Sequence, residues 1–427
     1  MEKGIEDRGP LTAAPTSPEV APVSDEGRWR ALGLLGLAMV LSMATWFSAA
    51  AVLPQLRANW NLSRVAGSWL TIMVQIGFVV GAVGSAYLGL ADRLSERRLM
   101  LLGAVGAALA NAGLAVSGGL ITALPFRFLV GVSLAGVYPP SLKAMSTWFR
   151  RDRGTALGVM VGALTLGSAL PHLVNGFGGL DWKVVVYATS LLTLAGGLLA
   201  EFLVEDGPYR FPTARFDWRD ARRALAARGV RLSTLGYVGH MWELYAMWAW
   251  FGAFFADVLA RDGGDVSTVA VGLATFSVIG AGALGSWAGG AISDRRGRAE
   301  AAGISMAFSG TVAAVIGFLA PTGPWVVLAL GLVWGFWVVA DSAQFSTVVT
   351  EQADQRFVGS VLTAQLAAGF ILSVFTIFLV PVVRDSLGWG WAFLMLAPGP
   401  ALGLWAMNSL RDHDRVVAVP SSLEPAP

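Results

Sequence analysis

Ionisable groups that interrupt long apolar runs are the residues of this sequence most able to do chemistry. In a bilayer each buried Asp, Lys or Arg costs about 2.5–3.5 kcal/mol on insertion scales, so few are kept without a use. His240 and Glu243 stand in Gly239-His240-Met241-Trp242-Glu243-Leu244-Tyr245-Ala246-Met247-Trp248. Their three-residue spacing puts them on one face of a helix, with Tyr245 and Trp248 adding aromatic surface. Such a face can wall a cavity in which His240 or Glu243 exchanges a proton, or it can be a hydrogen-bonded pair that only fixes packing. Asp341 is the second acid of this kind, with Trp337 and Trp334 one and two turns before it. It could be protonated, bind a cation, or pair with a basic group of another helix.

Three basic or polar groups are candidates beside these acids. Lys143 follows Tyr138-Pro139-Pro140, where two prolines remove backbone donors and kink the helix. It could bind an anionic solute, neutralise Asp341 or Glu243, or snorkel to the surface. Arg127 lies nearer the outer face and suits a proton relay or a structural anchor. Pro171-His172, with Asn175, makes another polar break, and a carbonyl freed by the proline can hold the imidazole in place.

The elements that must position these groups are membrane spans. The chain is 55% hydrophobic and only 14% charged, against roughly 25% charged in soluble domains. Apolar runs recur at 31–53, 68–91, 99–116, 122–148, 154–177 and 182–204, and again at 234–259, 268–292, 299–320, 324–349, 358–383 and 389–410. Each crosses a hydrocarbon core of about 30 Å as a helix. Unbroken apolarity favours helices over the alternating strands of a barrel. The predicted fold is an all-α membrane protein of twelve transmembrane helices in two pseudo-symmetric six-helix bundles. Its expected divisions are a disordered tail 1–30, a bundle 31–204, a linker 205–231, a bundle 232–410 and a tail 411–427.

Basic residues crowd one side of this topology: the linker, the tails and two charge knots. By the positive-inside rule both termini are cytoplasmic, in a cell's inner membrane. The knots are Leu88-Gly89-Leu90-Ala91-Asp92-Arg93-Leu94-Ser95-Glu96-Arg97-Arg98 and Gly290-Ala291-Ile292-Ser293-Asp294-Arg295-Arg296-Gly297-Arg298. A second pair, Gly131 to Thr147 and Gly331 to Thr347, recurs at nearly the same offset, as parallel halves would require. Small residues at four-residue spacing, Gly77/Gly81, Gly154/Gly158/Gly162 and Gly285/Gly289, permit close helix approach and suit rocking of one half against the other.

The second knot resembles the signature loop of the major facilitator superfamily, Gly-x-Leu-Ala-Asp-Arg-x-Gly-Arg-Arg, departing at Ile292 and Ser293. The first copy has Leu88 and Ser95 where that family has glycines. Arg127-Phe128-Leu129-Val130-Gly131 is similar to the family's fourth-helix motif. Gly136-Val137-Tyr138-Pro139-Pro140-Ser141-Leu142-Lys143 is similar to permeases grouped with cyanate and nitrate carriers. Nitrate itself is disfavoured, because neither 68–91 nor 268–292 contains the buried arginine such carriers use. The resemblance implies a latch holding the outward-facing state, built here from Asp92, Arg93, Gly290, Asp294, Arg295, Gly297 and Arg298.

Taken together these features predict a secondary active transporter, not an enzyme, that moves a small organic or anionic solute by alternating access with proton coupling. Proton-driven efflux of hydrophobic compounds and a non-transporting receptor are the alternatives. The expected partners are a small-molecule substrate, protons and membrane lipid, with no nucleic acid, and the expected state is a monomer. No phosphate loop, cysteine nucleophile or compact metal-ligand spacing is present in the sequence, so no cofactor or metal is expected.

Overall fold

In the computed structural model, residues 25–149, 152–178, 180–209, 218–261, 266–354 and 358–418 are described. Most of both expected tails, the middle of the linker and the Asp92 side chain lie outside them. Twelve long helical segments run through the described residues: α1 (Asp25–Ser42), α2 (Arg64–Leu88), α3 (Glu96–Leu114), α4 (Leu120–Ser146), α5 (Arg153–Asn175), α6 (Trp182–Leu203), α7 (Arg228–Ala260), α8 (Thr268–Arg296), α9 (Arg298–Ile316), α10 (Pro324–Gln352), α11 (Val358–Leu387) and α12 (Trp389–Asp412). Nine of them are long and apolar enough to cross a membrane by length and composition. The remaining three, α1, α3 and α7, dilute their apolarity with a helix break, with Glu96-Arg97-Arg98 and with His240 and Glu243 respectively.

Two boundaries differ from expectation. Helix α1 begins at Asp25, inside the expected tail, and a short helix, Trp218–Ala224, interrupts the expected linker. Equivalent helices start alike in the two halves. Ser63 accepts from the Ala66 N–H at the head of α2, and Ser267 accepts from the Ala270 N–H at the head of α8. Each hydroxyl satisfies a donor that the first turn leaves open.

Within each half the second and fourth helices touch backbone to backbone. A Cβ at Gly77 would run into the Phe128 carbonyl of α4, and one at Gly285 into the Phe336 carbonyl of α10. The glycines of α2, and Gly285 and Gly289 of α8, therefore knit each half together; they do not line the seam between halves as the sequence suggested. That seam is α5 against α8 and α2 against α11. Along it a Cβ at Gly158 or Gly162 would stand 3.0 or 3.2 Å from α8 backbone oxygens. Ser286 Oγ crosses the seam to donate to the Gly158 carbonyl at 2.9 Å.

Four of the long segments are broken, α12 between Leu394 and Pro398 among them. Helix α4 opens between Leu134 and Tyr138, ahead of the paired prolines, and α10 opens at Asp341, between Ala340 and Ser342. Helix α1 ends in a 3-10 turn, Met43–Thr45, before Ser48–Ala51 resumes. Among the described residues no strand is present.

Candidate functional site

The break in α10 brings a carboxylate to an imidazole. His240 Nδ1 lies 2.9 Å from Asp341 Oδ1, and its Nε2 lies 3.0 Å from Ser342 Oγ. Both ring nitrogens are engaged, and both His240 and Asp341 are buried. Helix continuity would have kept the Asp341 and Ser342 backbone in register with Ala340. The break instead places the carboxylate ahead of a new helix start, where negative charge is favoured.

Glu243 has other partners. Its Oε1 accepts from Trp334 Nε1 at 2.6 Å and its Oε2 from Ser309 Oγ at 2.9 Å. The three-residue spacing thus separates two sites, one shared by α7 and α10 and one by α7, α9 and α10. Glu243 is an interior group of the second half. Trp334, which the sequence offered as cavity surface, is its hydrogen-bond donor. Trp337 stacks on Phe308 at 4.7 Å between ring centroids. Phe308 is half exposed, so Trp337 belongs to the outward face and not to the site.

Arg127 is the counterpart in the first half. It is wholly buried. Its Nε donates to Leu70 O at 3.0 Å, its Nη2 to Trp46 O at 2.7 Å, and its Nη1 to Thr45 O, Ser48 Oγ and Asn111 Oδ1 at 3.3, 3.0 and 2.9 Å. The broken end of α1 supplies the Thr45 and Trp46 carbonyls. Its geometry is that of an anchor.

Lys143 follows the surface alternative of the three that the sequence left open. Its Nζ pairs with Glu96 at 2.9 Å, at the knot end of α3, with a side chain 30% exposed. The long stem reaches toward the surface, and neither Asp341 nor Glu243 draws a partner from the first half. His172 is buried on α5, and Asn175 Nδ2 donates to Ala51 O at 2.9 Å, pinning α5 to the resumed end of α1. Tyr138 opens the second piece of α4, with its ring 6.4 Å from Phe78.

Between the halves lies a cluster of rings that the sequence only half disclosed. Tyr245 stacks on Trp46 at 5.9 Å and on Phe47 at 6.1 Å, and Trp248 meets Phe47 edge-on at 5.8 Å. Phe370 of α11 touches Trp46, Phe78 and Tyr245. Tyr245 and Trp248 were marked by their neighbours His240 and Glu243. Trp46, Phe47, Phe78 and Phe370 carried no signal, because an aromatic in an apolar run reads equally as lipid-facing.

Charge gathers at both ends of the seam, and at the far end it joins the halves. At the knot end, Arg298 Nη1 lies 2.9 Å from Asp294 and 2.6 Å from Ser293 Oγ, and its Nε lies 3.4 Å from Glu351. Asp294 also approaches the first turn of α5, where a Cβ on Gly154 would come within 3.1 Å of its carboxylate. Gly290 faces the Gly154 carbonyl, and Gly297 turns the chain at φ +92°. Arg295 and Arg93 are exposed. At the far end, Arg64 of α2 reaches Asp257 of α7 at 3.6 Å and Asp385 of α11 at 3.5 Å. Arg384 pairs with both acids, and Trp389 Nε1 donates to Asp257 at 3.0 Å. No motif in the sequence marks Arg64 or Arg384.

Comparison with known proteins agrees with this architecture. The niacin transporter NiaP of Acinetobacter baylyi is 26% identical over 196 residues, 44% of this chain and 43% of the relative. The galacturonate transporter of Dickeya chrysanthemi is 30% identical over 186 residues, 40% of this chain and 50% of the relative. The multidrug efflux pump LfrA of Mycolicibacterium smegmatis is 29% identical over 150 residues, 35% of this chain and 29% of the relative. The chain thus spans half or less of the length of each of these relatives. The family model described as Major Facilitator Superfamily matches residues 35–376. With its parallel halves, Asp-Arg knots and buried Arg127, this multi-pass membrane chain belongs to the Major Facilitator Superfamily.

Proposed function

We propose that the protein is a proton-coupled secondary transporter that imports a small organic anion by alternating access. The observation that carries this reading is the buried contact of His240 with Asp341 and Ser342 at the break of α10. A carboxylate and an imidazole held in contact can share one proton or take up a second, and the second changes the charge that the half must carry through the bilayer. A shift of α7 against α10 within the second bundle, accompanying the tilt of one bundle against the other, would open the contact and couple that charge to access. The units that tilt are the bundles 31–204 and 232–410, joined by the linker 205–231. Asp294, paired with Arg298 and set against the first turn of α5, latches them at the knot end, and the density of basic residues at that end makes it, and both termini, cytoplasmic. The protein works as a monomer in the inner membrane.

The anionic reading draws on two relatives named for niacin and galacturonate. Efflux of hydrophobic compounds is the second reading, favoured by the rings at the seam and by a relative named as a multidrug efflux pump. Proteoliposomes with an imposed proton gradient test both, using nicotinate, galacturonate and tetraphenylphosphonium as probes. Asp341→Asn should abolish gradient-driven accumulation while leaving solute exchange, and Glu243→Gln should keep both. Full accumulation by Asp341→Asn would remove the pair from coupling, and movement of the lipophilic cation alone would select efflux.

A further inference from the structure

The ring cluster between the halves has a feature that plain packing does not explain. Three buried indoles donate to a partner: Trp250 to Ile377 O, Trp334 to Glu243 and Trp389 to Asp257, as does the half-buried Trp242 to Met395 O. Trp46 and Trp248 are buried to 1% exposure, yet the Nε1 of each has no acceptor. Gln75, one helical turn before Phe78 on α2, is fully buried with both amide atoms unpartnered. Buried donors are almost always satisfied in folded proteins. Among the exceptions, Trp46, Trp248 and Gln75 belong to or adjoin the rings where Trp46, Phe47 and Phe78 of one half meet Tyr245, Trp248 and Phe370 of the other.

Resting on the transporter reading, we propose that this cluster is the solute site and that the solute is a flat aromatic carboxylate. The Trp46–Tyr245 and Phe47–Tyr245 pairs are nearly parallel, at 15° and 10° between planes. When the halves part, each pair presents ring faces that a flat aromatic solute can take over. The open groups are mainly N–H donors, which call for an acceptor. Glu243 does not compete for them, because both its oxygens are occupied, and Asp341 Oδ1 lies 2.9 Å from His240 Nδ1. Behind the cluster Arg127 donates to the Trp46 carbonyl, and among the described residues no carboxylate pairs with it. A guanidinium without a counter-ion, buried in a low-dielectric interior, sets up a positive potential that reaches the cluster. That potential favours an anionic solute over a neutral or cationic one.

Binding of three probes to the full-length protein in nanodiscs decides the matter: benzoate, cyclohexanecarboxylate, which keeps the charge and loses the flat ring, and benzyl alcohol, which keeps the ring and loses the charge. Benzoate should bind about tenfold tighter than either, the size expected of one or two ring stacks. Tyr245→Leu should erase the preference for benzoate over cyclohexanecarboxylate. Trp46→Phe and Trp248→Phe keep the rings while removing the N–H, and should lower the preference over benzyl alcohol. Equal binding of benzoate and cyclohexanecarboxylate, or tighter binding of benzyl alcohol, overturns the proposal, as does no binding of benzoate at all. Gradient-driven uptake of galacturonate alongside any of these failures would leave the carrier reading standing. Tight benzoate binding without uptake of any solute would leave the site standing and remove the carrier.

Discussion

The two halves solve the problem of a buried charge in opposite ways. In the first half the charge is a cation, Arg127, and three of its five acceptors are backbone carbonyls, two of which, Thr45 and Trp46, α1 frees by breaking at Met43–Thr45. In the second half the charges are Glu243 and Asp341. Their partners are side chains, from Trp334, Ser309 and His240, on a helix α7 that runs unbroken from Arg228 to Ala260. A guanidinium needs several acceptors at fixed angles, and a broken helix end offers them; a carboxylate needs donors, which a helix interior cannot spare. The first half thus builds its centre into the backbone and is rigid. The second builds it from side chains that can swap partners, which is where a proton could be taken up.

The sharpest way to break this comparison is to remove the cation. Arg127→Met strips five hydrogen bonds from the junction of α1, α2, α3 and α4. With about 1–3 kcal/mol for each buried acceptor left unsatisfied, the loss should reach about 3 kcal/mol or more. Thermal unfolding of the purified protein in detergent should show it as a large fall in midpoint. Arg127→Lys should recover only part, since three donors on a point charge cannot reach the same acceptors. A Met variant as stable as the parent would mean that the first half does not depend on its cation.

A second, smaller contrast lies between seams inside a half and the seam between halves. Gly77→Ala and Gly285→Ala each drive a methyl group into a helix backbone across a contact that has no room for it, and overpacking of that kind costs about 1–3 kcal/mol. Gly162→Ala meets the Ala283 carbonyl of α8 at 3.2 Å and asks only a slight shift. It should leave the unfolding midpoint nearly unchanged while slowing solute exchange. Equal destabilisation at all three positions would show that the seam between halves is as tight as those within them.

The sequence disclosed most of the architecture and only part of the site, for identifiable reasons. Apolar runs and Asp-Arg knots are local patterns, so the spans, the duplication and the Asp294–Arg298 contact were legible. Helix boundaries were less so, as the start of α1 at Asp25 shows. The break in α1 has no proline or glycine to announce it; Met43-Ala44-Thr45 reads as ordinary helix, and the cause is the buried guanidinium that claims its carbonyls. Which alternative held for Lys143 was not legible, because its neighbour in sequence is a proline kink, while its partner in space is Glu96 on another helix. Trp337 was misjudged because helical spacing fixes the distance from Asp341 but not the face. Arg64, Asp257 and Asp385 come from three helices and meet only in the fold.

That far-side cluster and the knot-side latch give the smallest effect and the most specific one. Partly exposed ion pairs contribute about 0–1 kcal/mol, so Arg64→Gln and Asp294→Asn should each leave stability nearly unchanged. What they should alter is which end opens. A bias of up to about 1 kcal/mol shifts the balance of two states by about fivefold at most. The chain has no cysteine, so Phe47→Cys, placed at the buried ring cluster, gives a single reporter of water access from either side. Reaction with a membrane-impermeant maleimide should rise from the far side in Arg64→Gln and from the knot side in Asp294→Asn. The Arg64 bridge joins the halves directly, and Asp294, paired with Arg298 of its own half, meets the first turn of α5 only while that end is closed, so each variant opens the end whose contact it weakened. A rise from the same side in both variants would mean that the two clusters are not opposing latches, and the pairing of Arg64 with Asp257 and Asp385 would then be surface decoration on a seam held shut by its rings.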